Sequence, residues 1–215
     1  MNLGEGFMTA GEIRALAAQA GVGPGTSVLD LCCGSGGPGR FVARELGCDY
    51  LGVDAEASAV AAARERAREL RFEVAHVPPL PAGTFDVVLM LETMLAFQDK
   101  DALVREIAAA LPPGGRFAFT FEAGAPLTAT ERDAMPNSDT VWPVPLEQMT
   151  ACLERAGLAV TWLEDHSQAH RATADALADA YAAEGDDGLV ASHRLWVQWL
   201  ATGRVRKLAL VAQLT

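Results

Sequence analysis

Basic side chains are scarce in this 215-residue chain: 17 Lys and Arg stand against 28 Asp and Glu, for a formal charge of −11. Such a balance repels phosphate backbones, so nucleic acid is excluded as the expected partner unless the few cations cluster. Cysteine is sparse as well. Cys32, Cys33, Cys48 and Cys152 show neither paired metal-ligand spacing nor a disulfide framework, which predicts reduced, buried thiols in a cytoplasmic protein and no metal centre. No apolar run reaches membrane-spanning length without a charge, and residues 1–10 carry no basic stretch followed by an apolar one, so neither a membrane nor an export route is expected. Internal repeats and low-complexity segments are missing too.

What is present is a half-apolar chain long enough to bury a core, expected to form one domain over 1–215. Ile13, Leu16 and Ala17 share one face of a helix predicted over 12–20, which Gly21 and the Gly23-Pro24-Gly25 run stop. Strands then alternate with helices. Strands are predicted at 27–31, 50–53, 71–75, 85–91 and 116–121, with helices at 39–46, 58–70 and 101–111. Beyond them come a helix at 146–156, a strand at 159–163, helices at 166–183 and 189–200, and a final strand at 205–214. This alternation of near-continuous apolar strands with helices predicts an α/β fold: a parallel sheet covered on both faces, with a binding crevice at the carboxyl ends of its strands.

The chemistry-bearing stretch is Val28-Leu29-Asp30-Leu31-Cys32-Cys33-Gly34-Ser35-Gly36, at the end of the first such strand. Gly34, Gly36 and Gly39 satisfy the G-x-G-x-x-G pattern, and Asp54 stands where a ribose-binding acid would follow the second strand, so a dinucleotide site must be weighed. Glycine lets the backbone turn sharply and approach a ligand where a Cβ would collide, and an acid at the next strand end accepts both ribose hydroxyls. Asp30 separates the rivals. A carboxylate before the glycines repels a pyrophosphate, whereas a cofactor that is a sulfonium with an ammonium group favours it.

These residues resemble the first motif of class I S-adenosylmethionine-dependent methyltransferases. Leu51-Gly52-Val53-Asp54 is similar to their second-strand acid, and Phe85-Asp86-Val87-Val88 and Leu111-Pro112-Pro113-Gly114-Gly115-Arg116-Phe117 are similar to their later signatures, in the same order. The resemblance implies a Rossmann-like, doubly wound, mostly parallel seven-stranded sheet with helices on both faces and a helical lid near the C-terminus. It also implies S-adenosyl-L-methionine as cofactor and methyl transfer to a small-molecule acceptor, first of all at oxygen, as in natural-product and quinone-type enzymes. No Asn-Pro-Pro-Tyr follows the fourth strand, which disfavours the amino-methylating enzymes of DNA bases and protein glutamines. Two rivals use the same fold: a non-methylating reaction on the same cofactor, and a non-catalytic cofactor-binding regulatory or accessory protein.

The resemblance assigns the cofactor to Asp30, Cys32, Gly34, Gly36, Asp54, Ala55, His76, Val77 and Leu91, with two departures. Cys32 replaces the first glycine of the pattern, and His76 replaces the acid after the third strand. His76 reads either as a neutral acceptor for the adenine amine or as a surface-loop residue, with Val77 as a backbone donor to the adenine edge. The positions of the family's His pair hold Leu95 and Ala96. The candidate bases are therefore Glu92, which could equally bind the methionine amine or begin a helix, and His166 and His170. Spaced i, i+4, these histidines read as a base over the methyl group, as two ligands of a metal without a third, or as a solvent-facing pair. Met94, Glu122 and Trp142 are the candidate substrate contacts, the last two in the first of the expected lid segments 122–146 and 165–202, whereas Trp196 and Trp199 read as core packing.

Overall fold

The computed structural model describes residues 6–215, so positions 1–5 of the expected domain lie outside the described residues. Helix α1 (Ala10–Gln19) begins at a reciprocal capping box: the Glu12 amide donates to Thr9 Oγ1 at 3.3 Å and the Thr9 amide to Glu12 Oε2 at 2.7 Å. There follow β1 (Ser27–Leu31), α2 (Gly37–Leu46), β2 (Asp49–Asp54), α3 (Ala57–Arg66), β3 (Arg71–Val74), β4 (Val87–Met90), α4 (Lys100–Ala109) and β5 (Arg116–Gly124). The second half holds α5 (Ala129–Ala134), α6 (Leu146–Arg155), β6 (Leu158–Asp165), α7 (Ser167–Glu184), α8 (Asp187–Thr202) and β7 (Val205–Leu214).

The seven strands form one sheet in the order β3-β2-β1-β4-β5-β7-β6. Strands β1 to β5 pair in parallel, and β7 runs antiparallel to both β5 and β6. The order reverses between β1 and β4, which opens a crevice at their carboxyl ends. Because side chains alternate along a strand, the two faces build separate cores. Leu29, Leu31, Val53, Val88 and Met90 pack with Leu103 and Ile107 of α4 and Met149 of α6. Val28, Tyr50, Val87 and Leu89 pack on the opposite face with Leu16 of α1, Val42 of α2 and Val60 of α3. Each such fully buried aliphatic side chain stabilises the fold by about 1.5–3 kcal/mol, so the loops at the strand ends stand on a rigid platform.

A third core, built from Leu127, Met135, Val141, Ala174, Trp196, Trp199 and Val205, fastens the α7/α8 pair to the segment after β5. Trp196 and Trp199 meet edge to face at 5.2 Å, the packing role their spacing suggests. Several element bounds differ from the sequence reading. Helix α2 starts two residues earlier, with Pro38 in its first turn where the fixed φ is preorganised and no amide is missed. Helix α3 stops at Arg66 rather than at residue 70, because Ala67 leaves helical geometry and the chain must turn for Arg71 to pair with Leu51. Strand β4 is shorter, at Val87–Met90, while β5 runs on to Gly124 because β7 pairs along its whole length. Helix α5 was not expected; Thr128 and Glu131 form its capping box. Among the described residues no helix is long and apolar enough to cross a membrane.

Candidate cofactor and acceptor site

The ends of β1, β2 and β4 surround a cavity of about 410 Å³ lined by Asp30, Cys32, Cys33, Gly34, Asp54, Leu91, Glu92 and Thr93, among others. The loop after β1 turns through left-handed backbone at Cys32 (φ 56°), Gly34 (φ 55°) and Gly36 (φ 82°). That conformation is free for the two glycines and strained for the cysteine, which accounts for a glycine at the equivalent position of the family pattern. A Cβ on Gly34 would meet nothing within 4 Å, so the backbone there is open to a ligand. Asp54 pins the loop from β2: its Oδ2 accepts the Gly34 amide and its Oδ1 the Glu56 amide, both at 2.8 Å. A carboxylate has about four acceptor positions, which leaves room for a pair of hydroxyls.

Asp30 is only 3% exposed and accepts the Tyr50 hydroxyl at 2.6 Å. A Cβ on Gly39 would collide with this pair, so the last glycine of the G-x-G-x-x-G pattern makes room for a buried acid rather than for a phosphate. Burial pushes the Asp30 pKa up to about 7, in spite of the Tyr50 hydrogen bond and with a further rise from the charge of Asp54. Three carboxyl groups and neither Lys nor Arg line the cavity. Such a lining repels a pyrophosphate and attracts a cation.

Glu92 leaves β4 through another left-handed residue (φ 63°), its amide donating to Thr120 Oγ1 at 2.8 Å. Its Oε2 accepts the Phe7 amide at 2.7 Å. Its Oε1 has no hydrogen-bond partner among the described residues and lies 3.9 Å from His170 Nδ1. Burial raises the Glu92 pKa, and the charge of Lys207 opposes that rise. His170, 7% exposed, is held well below the ordinary histidine range, first by burial and then by the charges of Lys207, His166 and His193. It is therefore a neutral imidazole. Behind it, Lys207 of β7 stands directly across from Glu122 of β5, with Nζ 2.6 Å from Glu122 Oε1 and the lysine 1% exposed. His166 precedes α7, with Nε2 3.3 Å from Glu164 Oε2 and Nδ1 3.7 Å from Glu12 Oε1.

The segment that builds the cavity, residues 28–115, matches the family model described as a methyltransferase domain. Those residues are thus a methyltransferase domain, and the chain as a whole is similar to the class I S-adenosylmethionine-dependent methyltransferases. It is 29% identical over 194 residues to the methyltransferase GfsG of Streptomyces halstedii, a match that covers 81% of this chain and 69% of that protein. It is 34% identical over 134 residues to phosphoethanolamine N-methyltransferase 3 of Arabidopsis thaliana, covering 58% of this chain and only 27% of that longer relative. In fold it is similar to geranyl diphosphate C-methyltransferase from Streptomyces coelicolor A3(2), solved with Mg2+, geranyl diphosphate and S-adenosyl-L-homocysteine, with a TM-score of 0.81 at 16% identity over 96% of this chain and 80% of that one.

In this methyltransferase, Asp30, Cys32, Gly34, Asp54 and Leu91 line the cavity together with Glu92, and Gly36 caps α2 beside them. Ala55 and His76 are exposed, Val77 packs in part against the core on the α4 side, and none of the three borders the cavity. His166 and His170 are buried, which rules out the solvent-facing pair, and His170 reaches the cavity through Glu92. Met94 is fully buried in the core, so its side chain does not face a ligand. Glu122 belongs to the ion pair beneath Glu92. Trp142 lies elsewhere, at a separate cavity of about 590 Å³ beside α4 and α6, with the Arg132 guanidinium 4.1 Å from its ring and its Nε1 donating to Asp139 O at 2.8 Å. Sequence reasoning missed Phe7, Cys33, Thr93 and Lys207. A lysine inside the apolar run at 205–214 was the available signal, since a buried cation requires a partner.

Proposed function

We propose that this methyltransferase methylates a hydroxyl oxygen of a small-molecule acceptor in the cytoplasm, as a single domain over 1–215, with Glu92 and His170 handling the acceptor's proton. One observation carries the reading: the Glu92 oxygen that lacks a hydrogen-bond partner sits between the acid-lined cavity and a neutral imidazole. When bound, S-adenosylmethionine supplies a methyl group made reactive by the positive sulfonium. Asp54 accepts the ribose hydroxyls, the backbone of Cys32 and Gly34 follows the methionine chain, and the charge of Asp30 answers the cofactor's positive charge. Leu91 would pack on the adenosine, and Ala55, His76 and Val77 would be the residues nearest its base if it reached beyond the cavity. Gly36 sets the turn that aims α2 at it.

Glu92 receives the acceptor's hydroxyl proton, and its raised pKa brings it toward the value at which a base works best near neutral pH. His170 takes that proton onward or removes it directly, with His166 ordering the start of α7. Glu122 and Met94 act from beneath, the first through Lys207 and the second through packing, and Trp142 has no part in this reading. The GfsG likeness supports methyl transfer, and the cation-seeking cavity supports the sulfonium cofactor. The test is incubation with methyl-labelled S-adenosylmethionine and a metabolite extract, read by mass spectrometry. A labelled methyl ether is expected, and cofactor binding without any labelled product refutes the reading. His170→Ala should lower turnover by roughly a hundredfold at unchanged cofactor affinity, and near-normal turnover would leave the role to Glu92.

A further inference from the structure

We propose that residues 6–8 occupy the acceptor's own place, and that the acceptor displacing them is a flat ring compound bearing a hydroxyl. This deepens the hydroxyl reading above and rests on it. The Phe7 ring lies 4.4 Å from the His170 ring and 5.6 Å from the His193 ring, nearly parallel to the latter at 22°. The amide of the same residue donates to Glu92 Oε2 at 2.7 Å, on the carboxylate whose other oxygen faces His170. One residue thus combines a planar ring against the imidazoles with a hydrogen-bond donor on the candidate base, the two features a phenol-type acceptor would present.

The surroundings fit such a guest. The ring packs on the apolar cluster that contains Leu127, Met135, Val141 and Trp196, which supplies walls for it. His193 is locked in place by a 2.7 Å hydrogen bond between Nδ1 and Leu189 O. Gly6 lets the segment pass over the site, since a Cβ there would collide with the Glu92 carboxylate. When the segment leaves, Glu92 Oε2 joins Oε1 without a donor inside a buried setting, a costly state that an incoming hydroxyl relieves. An acidic acceptor meets the Glu92 and Glu122 charges instead, and an acyclic one leaves the ring slot unfilled.

The experiment is calorimetric titration with catechol, and with ethanolamine as the acyclic control, against three proteins saturated with S-adenosylhomocysteine. The proteins are the parent chain, the full chain with Phe7→Ser, and a chain starting at Thr9, which keeps the capping box of α1. A segment that competes for the slot lowers apparent affinity by the fraction of time it is open, so both variants should bind catechol about tenfold or more tightly with no gain for ethanolamine. Unchanged or weaker catechol binding, or an equal gain for ethanolamine, overturns the proposal. Phe7→Ser carries the comparison if the shortened chain fails to fold. Titrating the parent chain with S-adenosylhomocysteine alone separates the two readings: failure to bind that ligand counts against methyl transfer, while the catechol comparison, repeated without it, still decides the slot.

Discussion

Replacing Asp30 by asparagine should stabilise the folded chain above pH 7 and weaken its hold on the cofactor. Burial holds this carboxyl's pKa near 7, against 3.8 for an ordinary aspartate. Between those values the folded chain keeps a proton that the unfolded chain has released, so stability falls as pH rises from about 4 to about 7. A gap of about three units, at about 1.4 kcal/mol each, puts the full loss at about 4 kcal/mol. An asparagine has the same shape, still accepts the Tyr50 hydroxyl and still clears Gly39, but carries no charge. Urea melts should therefore show parent and variant similar near pH 4, and the variant ahead by about 2–4 kcal/mol at pH 8. Affinity should move the other way, because the cofactor's positive charge offsets the cost of ionising Asp30. The parent should accordingly release a proton on binding near pH 7, seen as a binding heat that varies with the buffer's ionisation enthalpy. Parallel pH profiles for parent and variant would refute the reasoning.

Asp54→Ala removes the acceptor of the Gly34 and Glu56 amides as well as the proposed ribose contact, and calorimetry should show cofactor binding weaker by about 1–3 kcal/mol. Cys32→Gly should change stability by less than about 1 kcal/mol, since relief of left-handed strain offsets the extra freedom of glycine, whereas Cys32→Val should lose about 2 kcal/mol in thermal or urea unfolding. Lys207→Met leaves Glu122 buried without its cation and should cost about 3–5 kcal/mol, most of it recovered in the Lys207→Met, Glu122→Gln double variant. A double variant as unstable as the single one would show that the pair does not act as a unit.

Most of the sheet could be read from periodicity, because buried parallel strands are short apolar runs punctuated by glycine and proline, and β1 and β7 fall where the pattern puts them. The cavity loop was legible for the same local reason: its glycines, Asp30 and Asp54 lie at strand ends and act through backbone geometry. What lies above it was not, since it depends on partners distant in sequence. Nothing local marks Phe7 as the donor to Glu92, and only the antiparallel register of β5 on β7 reveals that Lys207 meets Glu122. The burial of His170 follows from the docking of α7, not from its i, i+4 spacing with His166. The box at Thr128 and Glu131 was a readable helix start that was passed over. Trp142 shows the opposite failure, an aromatic in a proline-rich stretch that packs at a different cavity.

The contacts from Phe7 to Glu92 and from Lys207 to Glu122 each bridge 85 positions of sequence. Contacts so distant along the chain form late, after the loop-closure entropy has been met by nearer ones. During synthesis the glycine loop can assemble as soon as β4 has paired with β1, while the acid and imidazole cluster waits for β7 to slot between β5 and β6. The two are thereby separated in time: a chain interrupted before β7 holds the glycine loop, Glu92 and His170 but lacks Lys207, the cation that pairs with Glu122.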